Sequence, residues 1–447
     1  MDNSAGPQDR DNETAVSPGT MRWAWYGLAV LATAMVFSLV NLQMIYLLAE
    51  PFKRDLELSD GEVGLLTGLA LGLTLSVMTF PMGWLTDRTN RKMLLAFCVV
   101  LWSVGTAGAG LSQNYTQLFI AVMGLGVGEA VLGPIVYSII PDLFPEKRRV
   151  LANYIFFLAS VLGAAIGLTI SGALIAAIDA WREAGGGLPA GLETWRIAMI
   201  ASAVPGALIA PAILLMRLKR KGRAAAAGGE WGMIIAFVRR HARTLIGVFF
   251  GFGLSYSAKS TMFIWAPSML IRVFEEGESA VGVKLGLVTA VSTVIGVLGS
   301  GLAYRAFSPR LGAATALRVA QISLAVAALV LPGLLISQSL FQAYAVLFVF
   351  SAASVAAMSL SPTMLQDISP ARARGRLVAA GGMVSIGFGA LTPVAVGYVS
   401  DLLPGKGASL IEAMVIVGAP LLLLSCAILW FAEKTISDTI TDAKQLS

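Results

Sequence analysis

GWLTDRTNRK, residues 83–92, is a short basic turn between two long apolar runs. Hydrophobic sequence leads into it from Gly64 and resumes at Met93. Two spans joined this closely must be antiparallel neighbours, a helical hairpin. Gly83 permits close approach of another helix, and Asp87 ends the incoming one. Arg88, Arg91 and Lys92 hold the turn on one side of a bilayer.

Composition says the same. Of 447 residues, 57% are apolar and 13% are charged, against the roughly 25% charge of soluble domains. A soluble core could not hide that much apolar surface, so the solvent is lipid. The net charge of +6 follows topology, which argues against a nucleic-acid partner. Cys98 and Cys426 both fall inside apolar runs, which indicates neither a disulfide framework nor a metal site. The single histidine, His241, lies in a basic loop and reads as a solvated imidazole. Neither a cofactor nor a metal is expected.

A bilayer crossing takes about twenty apolar residues. Such spans run near 22–48, 60–85, 92–111, 115–139, 149–178, 197–218, 243–273, 281–307, 313–336, 341–363, 373–402 and 409–433. The fold expected is an all-α membrane protein of twelve transmembrane helices. With both termini cytoplasmic, the opposite side carries only Lys53, Arg54, Arg182, Arg196, Arg272, Lys284 and Lys406, and Lys259 lies inside a span. The other 24 of the 32 basic residues are cytoplasmic, and that asymmetry sets the orientation. The expected organisation is a cytoplasmic tail at 1–20, a six-helix bundle at 21–218, a cytoplasmic linker at 219–242, a second six-helix bundle at 243–434 and a cytoplasmic tail at 435–447. Residues 1–20 are polar and read as disordered, with no signal peptide. Trp231 to Val238 could form a short amphipathic helix at the membrane surface.

The two halves repeat. Asp142-Leu-Phe-Pro-Glu-Lys-Arg-Arg149 follows helix 4 and Asp367-Ile-Ser-Pro-Ala-Arg-Ala-Arg374 follows helix 10, sharing D-x-x-P-x-[KR]-x-R at an offset of 225 residues. The pattern G-x-x-x-D-R-x-x-R-[RK] at 83–92 resembles the loop between helices 2 and 3 of the major facilitator superfamily. LLAEPFKRDLELSDGEVGLLTG (47–68), MGLGVGEAVLGPIVYSIIPDLFPEKRR (123–149) and SPTMLQDISPARARGR (361–376) resemble its spinster-like branch, whose animal members move lysolipids and sphingosine phosphate. The resemblance implies two six-helix pseudo-repeats and a central cavity lined by helices 1, 4, 7 and 10. It also implies a cytoplasmic gate built from Gly83, Asp87, Arg88, Arg91, Asp142, Arg148 and Asp367. In that gate Asp87 accepts from the start of helix 11 and Arg91 pairs with Asp142. Relatives of this branch often carry Asp-Arg in helix 1 and an arginine seven residues before the helix 4 glutamate. Here those positions hold Asn41-Leu42 and Val122.

Two charges lie deep in spans. Glu129 is thirteen residues before Asp142, so it lies roughly 20 Å from the end of its helix. Lys259, between Arg243 and Arg272, is also near mid-depth. A charge there costs at least ~2.5–3.5 kcal/mol and must face water or a partner. Glu129 is therefore the expected proton-coupling site, since a carboxylate's proton affinity follows its burial. Lys259 is the expected counter-charge, to Glu129 or to an anionic head group. Asn41, Gln43, Asn153, Ser255, Tyr256 and Ser354 are further cavity candidates. Gly126 and Gly133 should leave the face beside Glu129 clear, and Gly124 and Gly128 should pack a neighbouring helix. Trp23, Trp265 and Trp430 read as interfacial anchors.

The function expected is secondary active transport by alternating access, coupled to protons, of an amphipathic or anionic small molecule such as a lysolipid or sphingolipid-like compound. A drug or organic-acid carrier is the alternative, and a receptor or sensor on the same scaffold comes after it. An intramembrane enzyme would need a nucleophile with its base, an Asp dyad or a His cluster in a span, and the sequence offers none. Partners expected are the substrate, protons and membrane lipids, with the protein monomeric in a bacterial inner membrane.

Overall fold

The computed structural model describes residues 18–186, 192–218, 231–370, 373–404 and 408–446. Most of the expected tail at 1–20 and half of the linker at 219–242 lie outside them. Among the described residues twelve long helices form. The first set is α1 (Pro18–Leu47), α2 (Asp60–Leu65, continuing as a π-helix over Leu66–Leu73 and as Thr74–Arg88), α3 (Arg91–Leu111), α4 (Tyr115–Glu129 and Leu132–Leu143), α5 (Glu146–Glu183) and α6 (Thr194–Leu215). The second set is α7 (Ala242–Phe274), α8 (Glu278–Leu311), α9 (Thr315–Val330), α10 (Leu340–Ser359 and Ser361–Asp367), α11 (Arg374–Leu402) and α12 (Ala408–Glu433). Among the described residues there is no strand. In lipid every backbone polar group must be satisfied within its own segment, and helices do this.

Helices α2, α3, α4 and α10 start where the sequence supplies a capping side chain. Asn90 accepts from the Lys92 N–H at the start of α3, and the side chain of Asn114 accepts from Gln117 at the start of α4. The α3–α4 and α9–α10 turns are near copies. Ser112-Gln-Asn-Tyr-Thr-Gln117 and Ser337-Gln-Ser-Leu-Phe-Gln342 stand 225 residues apart. In each, the final Gln side chain accepts from the N–H of Gln113 or Gln338 at 2.8 Å. This second repeat is carried by the sequence itself, as S-Q-x-x-x-Q in both turns.

Packing repeats as well. In the first half α1 packs on α5 and α6, and α3 on α4 and α6; in the second, α7 packs on α11 and α12, and α9 on α10 and α12. The halves meet along two equivalent seams, α2 against α11 and α5 against α8. Both lie in the half of the molecule away from the described termini, hereafter the far side.

At the C-terminal edge one expectation changes. The polar stretch after residue 435 forms a helix, Ile436–Gln445, that buries Ile436, Thr439 and Ala443. His241 is buried, not solvated. Its Nε2 lies 3.0 Å from the Asp442 carboxylate and its Nδ1 3.1 Å from the Thr439 hydroxyl, both on that terminal helix. The linker helix forms over Trp231–Arg240.

Candidate functional site

Among the described residues α4 and α10, equivalent partners in the two halves, are each interrupted, α4 near its middle and α10 in its last third. Pro134 has no N–H for the carbonyl of Ala130, and α4 breaks at Ala130 and Val131. Pro362 stands in the same relation to Met358, and α10 breaks at Leu360. Discontinuous helices in matching positions of two repeats mark the substrate and ion sites of transporters. Glu129 is the last residue before the α4 break. Its side chain is buried, and among the described residues Oε1 has no hydrogen-bond partner.

The surroundings of Glu129 come from both halves. The Ser38 hydroxyl of α1 is beside its carboxylate. Tyr46, also on α1 and buried, lies within electrostatic reach of both Glu129 and Tyr256 of α7. A Cβ built on Gly389 of α11 would sit 2.5 Å from the Tyr256 ring, so that ring lies flush with the α11 backbone. Ser38 and Tyr46 are absent from the sequence reading, although an eight-residue spacing puts them on one helix face.

Lys259 is placed elsewhere. It lines a crevice with Met262, Phe263, Leu285, Leu347 and Phe350, between α7, α8 and α10. Ser255, four residues before it, shares its face of α7, and Ser354 shares the face of α10 that carries Leu347 and Phe350. Both serines are fully buried, and among the described residues their hydroxyls, like the side-chain oxygens of Asn41 and Gln43, have no hydrogen-bond partner. Among the described residues no ion pair joins Lys259 to Glu129. The two expected charges thus belong to two places: an acidic one at the α4 break and a basic, apolar-walled one inside the second half. Gln43 lies against Gly167 of α5, where a Cβ would meet its Cγ at 3.0 Å. Asn153 is half-buried towards the end of α5 nearest the described termini.

The glycines near Glu129 divide differently from expectation. A Cβ at Gly126 would stand 3.1 Å from the Leu71 carbonyl, so that face is filled by α2, whereas Gly133 is open. Gly128 packs on α3, where a Cβ would stand 2.6 Å from the Cys98 carbonyl, but a Cβ at Gly124 would meet nothing within 4 Å. Trp265 is not an interfacial anchor. It is buried and donates to the Pro393 carbonyl at 3.3 Å.

Of the gate residues, Arg91 donates to Asp142 at 2.5 Å and to the Ser138 carbonyl at 2.7 Å. Both contacts join α3 to α4 within one half, so this pair does not itself bridge the halves. Arg88 stacks on Trp84, and Arg148 and Asp367 are exposed. A Cβ at Gly83 would meet nothing within 4 Å, so the close approach expected there is not made. The Asp87 side chain lies outside the described residues.

The far side carries a cluster that the sequence reading counted only as topology charges. The buried Asp60 carboxylate accepts both Arg272 guanidinium nitrogens at 2.8 and 2.7 Å, Lys53 at 2.5 Å and Ser400 at 2.7 Å. Glu50 accepts from the same arginine at 2.8 Å. Asp60, Lys53 and Glu50 belong to the first half, and Arg272 and Ser400 to the second.

Residues 27–385 match the sequence pattern of the Major Facilitator Superfamily. The chain belongs to that superfamily. It is an integral, multi-pass membrane transporter and not an enzyme. Its similarity runs to the spinster proteins, as the motifs suggested. The chain is 29% identical over 284 residues to an MFS-type efflux pump of Mycolicibacterium smegmatis, covering 62% of this chain and 61% of that protein. It is 30% identical over 150 residues to the mouse sphingosine-1-phosphate transporter SPNS2, covering 33% of this chain and 25% of that one. In fold it is similar to a bacterial homologue of the human lysosomal transporter spinster, in an inward-facing and unoccupied conformation. The TM-score is 0.80 at 21% identity, over 95% of this chain and 99% of that one. The twelve helices and their paired seams are thus those of a superfamily member.

Proposed function

We propose that this chain is a proton-coupled secondary transporter that works by alternating access and carries an amphipathic or anionic small molecule such as a lysolipid or sphingolipid-like compound. The observation that carries the reading is Glu129, a buried carboxylate with an unpartnered oxygen at the α4 break. Moving such a group between wet and dry settings changes its proton affinity. A cavity that opens first to one side and then to the other would let it load and release a proton. Lys259 supplies a positive charge for an anionic head group, and Met262, Phe263 and Phe350 supply walls for an alkyl chain. Asn41, Gln43, Asn153, Ser255, Tyr256 and Ser354 are the hydrogen-bonding groups of the path. Gly83, Asp87, Arg88, Arg91, Asp142, Arg148 and Asp367 form the gate on the side of the termini. Basic-residue asymmetry supports cytoplasmic termini, and with them a bacterial inner-membrane location. The protein acts as a monomer.

The efflux-pump relative supports a second reading, a proton-linked carrier of drugs or organic acids. Both readings put the proton at Glu129. The test is transport in proteoliposomes with and without an imposed pH gradient. Glu129→Gln keeps size and hydrogen bonding but cannot titrate, so gradient-driven accumulation should fall to background while ligand-induced stabilisation persists. A Gln variant that still accumulates substrate against the gradient would put the proton path elsewhere.

A further inference from the structure

The first turn of α2 is satisfied half by its own sequence and half by the other bundle. A helix begins with N–H groups that have no partner within it. Ser59 and Glu62 form a reciprocal capping box: the Ser59 hydroxyl accepts from the Glu62 N–H at 3.1 Å, and the Glu62 carboxylate accepts from the Ser59 N–H at 2.8 Å. The two N–H groups between them, of Asp60 and Gly61, go to neither. They donate to the carboxylate of Asp401 at 3.0 and 2.7 Å, and Asp401 is at the last turn of α11. The approach requires glycine on both sides. A Cβ at Gly397 would be 2.2 Å from the Asp60 carbonyl, and one at Gly61 would be 3.0 Å from an Asp401 oxygen.

We propose that Asp401 is a positioning residue for transport: a carboxylate cap, supplied across the seam, that latches the far side shut and is withdrawn when that side opens. Its negative charge suits the positive end of the α2 dipole. In the gate proposed on the side of the termini, Asp87 of α2 is the cap for the start of α11. On that reading antiparallel α2 and α11 exchange caps: Asp401 on α2 in one facing, Asp87 on α11 in the other. The inference rests on the alternating-access reading and adds to it a residue outside the superfamily turn.

The experiment places spin labels at Gln113 and Gln338, exposed and equivalent far-side positions in opposite halves, on the reconstituted full chain. The distance distribution gives the ratio of far-side-open to far-side-closed protein. Asp401→Ala should raise that ratio about fivefold, the size of a lost helix cap, and Asp401→Asn should raise it less. Asp87→Asn should lower the ratio, and Asp87→Asn with Asp401→Asn should return it towards the parent value, which a merely structural role for Asp401 would not do. Elution and melting temperature show that each variant is folded. An unchanged ratio in Asp401→Ala, with a raised one in Arg272→Gln, overturns the latch and leaves alternating access standing. One fixed distance in the parent and every variant, while transport continues, overturns alternating access itself.

Discussion

The two halves of α2 make opposite use of glycine. Along 61–72 its four glycines stand three or four residues apart on one face and all meet α11, Gly64 and Gly68 almost backbone to backbone. A Cβ would come within 3.0 Å of Asp401 at Gly61, 2.6 Å of the Pro393 carbonyl at Gly64, 2.3 Å of the Ala390 carbonyl at Gly68 and 3.2 Å of Ala390 at Gly72. At the other end Gly83, in the turn that identifies the superfamily, faces open space, flanked by the exposed Phe80 and Trp84. The lesson is that glycine marks where a helix can close, not where it is closed. One end is engaged in this conformation and the other is free.

The largest effect should come from filling either surface. Gly68→Leu puts a branched side chain where the Ala390 carbonyl stands, a clash with backbone that rotamers cannot relieve. Gly83→Leu costs nothing in the present conformation. Transport should fall at least tenfold in both, yet the Gln113 to Gln338 distance should lengthen in Gly68→Leu and stay short in Gly83→Leu. A short distance in both would mean that the α2–α11 seam does not control the far side.

Charge comes next. Arg272 serves two carboxylates at once, and its removal leaves Glu50 without that partner and Asp60 with Lys53 and Ser400 alone. Breaking a buried pair by removing one member typically costs about 3–5 kcal/mol. Because Asp60 keeps other donors, Arg272→Gln should cost about 2–3 kcal/mol of the closed state. A far-side-open majority in the distance distribution, with a lower melting temperature, is the expected result. A closed majority would assign the seam to helix packing and remove the ion cluster from the gate.

The sequence made the bundle legible because lipid tolerates few alternatives. Twenty apolar residues must cross, and basic residues must stay on one side. Glu129 was legible for the same reason, as a carboxylate that lipid would otherwise exclude. Its companions were not, because Ser38 and Tyr46 are ordinary helix residues until folding brings α1 beside the α4 break. Lys259 shows the limit from the other side. Depth predicts that a mid-span lysine needs a destination but not which face of α7 it takes, and it turns towards α8 and α10. The far-side lock was hidden by counting. Lys53, Arg54 and Arg272 entered the reading as topology charges, and nothing in a single sequence links Asp60 to Arg272 and Asp401 across more than two hundred residues. His241 was misread because its loop is basic. The burial comes from Thr439 and Asp442, in a terminal stretch too polar to suggest a docked helix.

The smallest effect should come from the pair that most resembles the lock on paper. Arg54 donates to Glu278 at 3.3 Å, so it too joins the first half to the second on the far side. Its side chain is 72% exposed, against 14% for Arg272. Water already solvates it, and the contact holds two long side chains in one geometry at an entropic cost. Such surface pairs are worth about 0–1 kcal/mol and are screened by salt. Arg54→Gln should therefore leave the far-side distance distribution within twofold of the parent at physiological ionic strength, with any remaining shift vanishing in high salt. A shift as large as that of Arg272→Gln would mean that net charge across the far face, not burial at Asp60, holds the halves together. Asp401 would then act through its charge alone and not as a cap on α2.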